Sequence, residues 1–281
     1  MHLIPGGPFA GEKNLPPTIM HNLEAKFGLD KPLFTQYLLY FKNVFLKFDF
    51  GVSTYQQGTP VTEIIKTYFP VSMKLGFISI AITLIIGNIF GVIAAFKNGR
   101  FSDRFIMVIA SIGTSVPSFV IATVSLIIFG VTLNLLPTYG LDSWQNYILP
   151  AFALSFFPLS FVSRLTRSSM LDVINQDYIK TARAKGLKES TVIFKHALRN
   201  AILPTVTYLG PLLAQVLTGS LIIERIFSIP GLGSFFVSSI VSRDYSVILG
   251  TTLFFGGFLI MINFLVDILY VFIDPRIKLR N

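Results

Sequence analysis

What most constrains this chain is a set of apolar runs, each long enough to cross a lipid bilayer, with most of the positive charge sorted into particular segments between them. A hydrocarbon layer is about 30 Å thick and an α-helix rises about 1.5 Å per residue, so roughly 20 consecutive apolar residues make one span. Five stretches qualify, at 71–96, 104–133, 147–165, 201–224 and 246–273. Only 13% of the 281 residues are charged while 52% are hydrophobic. That is about half the charge with which a soluble domain covers its surface. The fold class is therefore an all-α membrane protein: residues 71–273 form a helix bundle with five spans, residues 1–70 precede it, and residues 274–281 form a short tail.

The sorting of charge gives an orientation, because short cytoplasmic loops retain Lys and Arg and short translocated loops lose them. Lys97, Arg100 and Arg104 follow the first run, and Arg164, Arg167, Lys180, Arg183, Lys185, Lys188, Lys195 and Arg199 lie between the third and fourth. The 134–146 connection carries no Lys or Arg, the 225–245 connection only Arg225 and Arg243, and the tail has Arg276, Lys278 and Arg280. Both basic connections and the tail are thus expected in the cytoplasm, and residues 1–70 outside. Pro5, Pro8, Pro16, Pro17 and Pro32 make that outer region loop-rich. Nothing ahead of it is apolar enough to export it, so a sixth helix before Met1 is expected in the full protein. The net charge of +9 follows this topology and no basic polar face, which argues against nucleic acid as a partner.

Several chemistries are excluded by what the sequence lacks. Cysteine is absent, so there is no thiol nucleophile and no cysteine metal site. His2, His21 and His196 fit no ligand spacing. No His-Glu-x-x-His motif and no Gly-x-Ser-x-Gly elbow occurs. No Gly-x-x-x-x-Gly-Lys-Ser/Thr phosphate loop occurs either, so the chain is no ATPase; it is read as a non-enzyme that binds no cofactor of its own.

Residues 168–200 are helical in character but too charged to insert. Leu171, Ile174, Tyr178, Ala182 and Lys185 recur at spacings of three and four and predict one helical face, with Gly186 able to end the helix through a positive φ. A second short helix is expected from about Glu189 to Arg199. By periodicity alone this is either a basic amphipathic loop on anionic headgroups or a docking element for a partner.

Residue identities favour the second reading. The run Lys180, Thr181, Ala182, Arg183, Ala184, Lys185, Gly186 resembles the EAA signature of ABC-importer permeases, a cytoplasmic helix-turn-helix that docks on an ATP-hydrolysing subunit. Lys180 and Thr181 stand where the general pattern has Glu and Ala; His196, Leu198 and Arg199 stand where it has Ile, Leu and Pro. These departures are similar to the peptide branch. The resemblance continues through Pro5, Gly6, Gly7, Pro8 and Phe9; Phe69, Pro70, Val71 and Ser72; Ile229, Pro230, Gly231, Leu232 and Gly233; and Asp274, Pro275 and Arg276. The chain is thereby identified as a member of the oligopeptide/dipeptide (peptide/nickel) permease family, B-type, with the type I importer transmembrane fold.

The resemblance implies a bacterial cell-membrane subunit that translocates oligopeptides, with dipeptides, nickel or metallophores and glutathione as alternative cargo. It implies a C-type permease partner, two ATP-binding subunits that use ATP and Mg, and an extracytoplasmic peptide-binding protein. It implies ATPase coupling through Lys180, Thr181, Ala182, Arg183, Ala184, Gly186, Leu187, His196 and Leu198. In that reading Ala182 is small so that the helix can approach its partner closely, and bulk at Gly186 blocks docking. A passive channel is the rival of a different class, and it would need no such docking segment.

Two stripes of polar residues lie within the spans. Ser111, Thr114, Ser115 and Ser118 fall at i, i+3, i+4 and i+7 around Pro117, which is expected to bend the helix, and Tyr208, Pro211, Gln215 and Thr218 make a second stripe. Either they line a translocation path, solvating peptide amides without selecting side chains, or they mediate helix packing. Asn88, Asn263 and Asp267 are also embedded, and Asp267 is expected to pair with Arg276 or Lys278 in a structural role.

Overall fold

The computed structural model describes residues 31–56, 58–141, 143–218 and 220–273; readings that fall on residues 1–30 and 274–281 lie outside the described residues. Eleven helices follow in order among them. They are α1 (Leu33–Lys47), α2 (Val61–Phe96), α3 (Phe101–Ser115), and α4 (Ser118–Thr132, π-wound over Leu126–Thr132). A 3-10 turn at Trp144–Tyr147 leads into α5 (Ile148–Ile174), followed by α6 (Asp177–Ala184) and α7 (residues 189–201, π-wound over Val192–Ala197). Last come α8 (Leu203–Thr218), α9 (Leu221–Ile226), α10 (Leu232–Val241) and α11 (Tyr245–Ile273).

Among the described residues three helices are long and apolar enough to cross a membrane, Val61–Phe96, Trp144–Ile174 and Tyr245–Ile268, and a fourth span is made if α3 and α4 count together. The second expected run is therefore broken: the chain bends by 109° between α3 and α4. The cause is local. A residue before proline is pushed out of the helical region, and Val116 sits at φ −95, ψ 128; Pro117 has no N–H to offer the carbonyl of Gly113. The fourth run, expected as one helix at 201–224, is divided into α8 and α9, and α8 has 16 residues.

The chain divides into two compact units, one of residues up to Val71 with Pro230–Phe258, the other of Ser72–Ile229 with residues from Leu259 on. In the first unit, Val61, Ile64 and Ile65 are buried with Leu232 and Val247, and Tyr68 and Phe69 pack at the edge. Positions 61, 64, 65, 68 and 69 form one helical face, which is why α2 begins about ten residues before the apolar run. The buried Asp244 carboxylate precedes α11 and holds the loop after α1. It accepts bonds from the Ser53 hydroxyl (2.5 Å), the Thr54 N–H (3.2 Å) and the Tyr55 N–H (3.3 Å), and it also accepts the Val247 N–H (3.3 Å) at the start of α11.

The second unit is organised on α5, which packs against α3, α4 and α8. On α2, Gly87 and Gly91 form a small-xxx-small pair facing α5. A Cβ at Gly91 would lie 2.5 Å from Thr166 Cβ and 2.8 Å from the Ser163 carbonyl, so only glycine permits this approach. Polar bonds then tie the crossing: the Thr166 hydroxyl donates to Asn88 Oδ1 (2.8 Å) and lies 3.1 Å from the Thr205 hydroxyl of α8, while Asn88 Nδ2 donates to the Leu84 carbonyl (2.7 Å). Asn88 is thus a helix-packing residue.

Candidate functional site

The basic segment between α5 and α8 folds as two short helices around a turn. The single face predicted for residues 171–185 is interrupted, because α5 ends at Ile174 and α6 begins at Asp177. Within α6 the buried positions are Ile179 and Ala182. They close on Val192, Ile193, Ala197 and Ala201 of α7, and the same cluster takes in Met170 of α5 and Ala95 of α2. The segment therefore has its own apolar core, rooted in α2 and α5. Tyr178, expected inside the face, is instead exposed, and its hydroxyl accepts Asn200 Nδ2 (2.7 Å).

The turn has a defined chemistry. Gly186 has φ +75, its N–H donates to the Arg183 carbonyl (2.9 Å), and the Leu187 N–H donates to the Ala182 carbonyl (3.4 Å), the paired bonds of a Schellman cap. A Cβ at Gly186 would meet nothing within 4 Å of it. Glycine is needed there for its backbone conformation, not for room. Arg183 closes the turn with a two-pronged bond to Glu189, Nη2 to Oε1 at 2.7 Å and Nε to Oε2 at 3.2 Å. That guanidinium holds the Glu189 carboxyl below its ordinary range.

The sequence-predicted coupling residues fall into two groups. Lys180, Thr181, Arg183, Ala184, Gly186 and Leu187 are exposed, on the outside of the helix-turn-helix. Ala182 is buried, and His196 and Leu198 are half-buried, Leu198 packing on the core from α7. The small side chain of Ala182 packs in the cluster that α6 and α7 share within this chain.

A second feature lies at the α3–α4 break. A cleft of ≈ 370 Å³ is lined by Thr114, Ser115, Val116, Pro117 and Ser118, by Leu154, Phe157 and Pro158 of α5, and by Val216 of α8. Three of the four hydroxyl residues predicted there line it, but they do so because the backbone turns, not because they share a helical stripe. The Thr114 hydroxyl lies 3.1 Å from both the Ala110 and the Ser111 carbonyls and donates back into α3. Ser111 lies outside the lining and back-bonds to the Met107 carbonyl (2.8 Å). Tyr208 packs against Phe161 of α5 with its ring tilted by 37°, centroids 4.5 Å apart. The side chains of Gln215 and Thr218 are not among the described residues.

One element escaped the sequence reading. Asp103, buried in the first turn of α3, accepts Arg167 Nε at 2.6 Å and Nη2 at 2.8 Å; the same Nη2 reaches Asn98 Oδ1 at 3.0 Å, and the Gly99 N–H donates to Asp103 at 2.8 Å. Arg167 counted only as a topological charge, and nothing local pairs it with a residue 64 positions away. Asp267 is exposed on α11, and its expected partners Arg276 and Lys278 lie outside the described residues.

The helix-turn-helix of α6 and α7 is thus an accessory to an apolar helix bundle, an arrangement shared with known transporters. Residues 87–279 match the family described as "Binding-protein-dependent transport system inner membrane component". The chain belongs to that family. It is 47% identical to the dipeptide transport system permease protein DppB of Bacillus subtilis, over 100% of this chain and 91% of that protein. It is 42% identical to the oligopeptide transport system permease protein OppB of Salmonella typhimurium, over 99% of this chain and 91% of that one. Two solved structures share the fold. One is an amino acid ABC transporter with histidines (TM-score 0.59, 15% identity, 74% of this chain and 93% of that one). The other is the inward-facing MetNI methionine ABC transporter (TM-score 0.53, 18% identity, 76% and 94%). The permease is accordingly a multi-pass inner-membrane component of a binding-protein-dependent system, and not its ATPase.

Proposed function

We propose that this permease forms one half of the translocation path of an ABC importer for short peptides, energised by separate ATPases that dock on the α6–α7 segment. The observation that carries this is the segment's architecture: a self-cored helix-turn-helix whose apolar cluster includes Ala95 of α2 and Met170 of α5. A force applied at its exposed residues is delivered to spanning helices, because a packed core transmits displacement and does not absorb it. ATP-driven closure of the ATPase pair then switches the bundle between outward and inward openings.

In this reading the exposed Lys180, Thr181, Arg183, Ala184 and Leu187 meet the ATPase, while Ala182, Gly186, His196 and Leu198 shape the segment. Thr114, Ser115 and Ser118 line the path. Residues 1–70 and the 225–245 connection face a peptide-binding protein, a C-type permease completes the pore, and α8 with α9 supplies the fifth span of a six-helix fold. For cargo, oligopeptides are supported by the pattern of Gly7, Pro8 and Phe9 with Phe69, Pro70, Val71 and Ser72. Dipeptides are favoured by the higher identity to the Bacillus dipeptide permease.

The test is uptake into proteoliposomes that contain the assembled complex, with labelled dipeptide and pentapeptide, with and without binding protein and ATP. ATP- and binding-protein-dependent accumulation is expected, and competition between the two peptides assigns the length. Equal flux without ATP would make it a passive channel and end the proposal.

A further inference from the structure

The two functional regions are joined by a pair of rods. α3 and α5 pack along one another, and between them they carry the cleft at one end and the root of the coupling segment at the other. From Asp103 to Ser115 is 12 residues of helix, about 18 Å. Arg167 precedes the end of α5, after which the chain enters the coupling segment.

Near the cleft the rods touch through Gly113, where a Cβ would overlap the Ser160 hydroxyl at 2.0 Å. At the cytoplasmic end the contact is the Asp103–Arg167 pair, both carboxylate oxygens engaged, with the same guanidinium reaching Asn98 in the α2–α3 turn. The Asp103 side chain is 4% exposed and that of Arg167 26%. Such a shielded, two-pronged pair is directional: it resists rotation of one helix against the other as well as separation.

We propose that Asp103 and Arg167 are positioning residues for transport: the pair makes α3 follow α5, so that displacement of the coupling segment reaches the cleft at Thr114, Ser115 and Ser118. The inference rests on the importer reading above and adds a residue pair to it. Docking acts at the exposed face of α6, α5 receives the movement, and the ion pair passes it to α3. Removing the pair leaves docking and ATP hydrolysis intact, while the cleft stops responding to nucleotide.

The chain has no cysteine, so S115C gives this subunit one thiol as a reporter, and the complex without S115C supplies the labelling background of the other subunits. Two readouts are taken in that background: peptide transported per ATP hydrolysed, and the rate of labelling by a water-soluble thiol reagent without nucleotide and with ATP trapped by vanadate. R167K keeps the charge that neutralises Asp103 but loses the two-pronged geometry, so it tests positioning without leaving a buried lone carboxylate; D103N with R167Q removes both charges together.

R167K is expected to retain binding-protein-stimulated ATPase activity, to lower peptide moved per ATP by about tenfold, and to flatten the nucleotide dependence of labelling. N98A, which removes only the third bond, is expected to lie between R167K and the unaltered pair. If R167K and the double variant both keep the unaltered ratio and the unaltered labelling difference, the pair is structural only and the proposal falls. If the protein with Asp103 and Arg167 intact shows no ATP-dependent uptake, the importer reading itself falls, a result separable from the variants.

Discussion

Gly186 illustrates how a residue can matter for its backbone alone. Its φ of +75 completes the Schellman cap, yet nothing stands within 4 Å of where a side chain would begin. Replacing it with Val forces a β-branched residue into the left-handed region at about 1–2 kcal/mol or more, whereas Asn tolerates that conformation. G186V is therefore expected to reduce uptake and ATPase co-purification together, and G186N to keep most of both. Equal loss in the two variants would point to contact with the ATPase instead of turn geometry. Ala182→Arg is a poor probe of docking, because it drives a charge into the cluster between α6 and α7 and will lower the amount of folded protein. Glu189 adds a pH dependence with a definite sign. Arg183 holds its folded value below the ordinary 4.5, so the bond contributes fully above 4.5 and is lost as pH falls through the folded value. Amide exchange across residues 184–190, corrected for intrinsic rates, should be equal at pH 7 and pH 6 and faster by pH 3; E189Q should remove that difference.

At the scale of the helix, the α2–α5 crossing depends on the absence of side chains at Gly87 and Gly91. G91A places a methyl group against Thr166 and the Ser163 carbonyl, and over-packing of this kind costs about 1–3 kcal/mol. Gly256 on α11 has open space around its Cβ position, so G256A is neutral or stabilising by up to about 1 kcal/mol. Thermal unfolding in detergent should separate them, and a G91A midpoint at or above that of G256A would mean that the crossing does not need the close approach. The long apolar runs of α2 and α11 and the stop at Gly186 were legible, since each is written in contiguous residues. The start of α2 at Val61 was not. Glu63, Lys66 and Pro70 read as the end of a polar region, although Val61, Ile64, Ile65, Tyr68 and Phe69 carry helical spacing. Proline at 70 is accommodated inside α2, while proline at 117 breaks α3 from α4, and the two look alike in sequence.

Across the whole molecule, the topology read from Lys and Arg makes a prediction of sidedness. In intact cells a thiol introduced by L135C should react with an impermeant reagent added outside, and one introduced by K180C only after the cell is opened, since both positions are exposed. Labelling of K180C from outside would invert the topology and remove the docking role of α6. Sequence pattern reached this far because charge sorting is a property of whole loops. It did not reach the Asp103–Arg167 pair or the Asp244 anchor, whose partners lie 64 and about 190 residues apart, nor the cleft that a bend of 109° creates. The core that α6 and α7 share leaves the proposed docking segment folded within this chain alone. A docking piece that is already folded has few torsions left to freeze on association. Its affinity for an ATPase should then reflect surface fit, with a small heat-capacity change and little of the entropic penalty that accompanies folding upon binding.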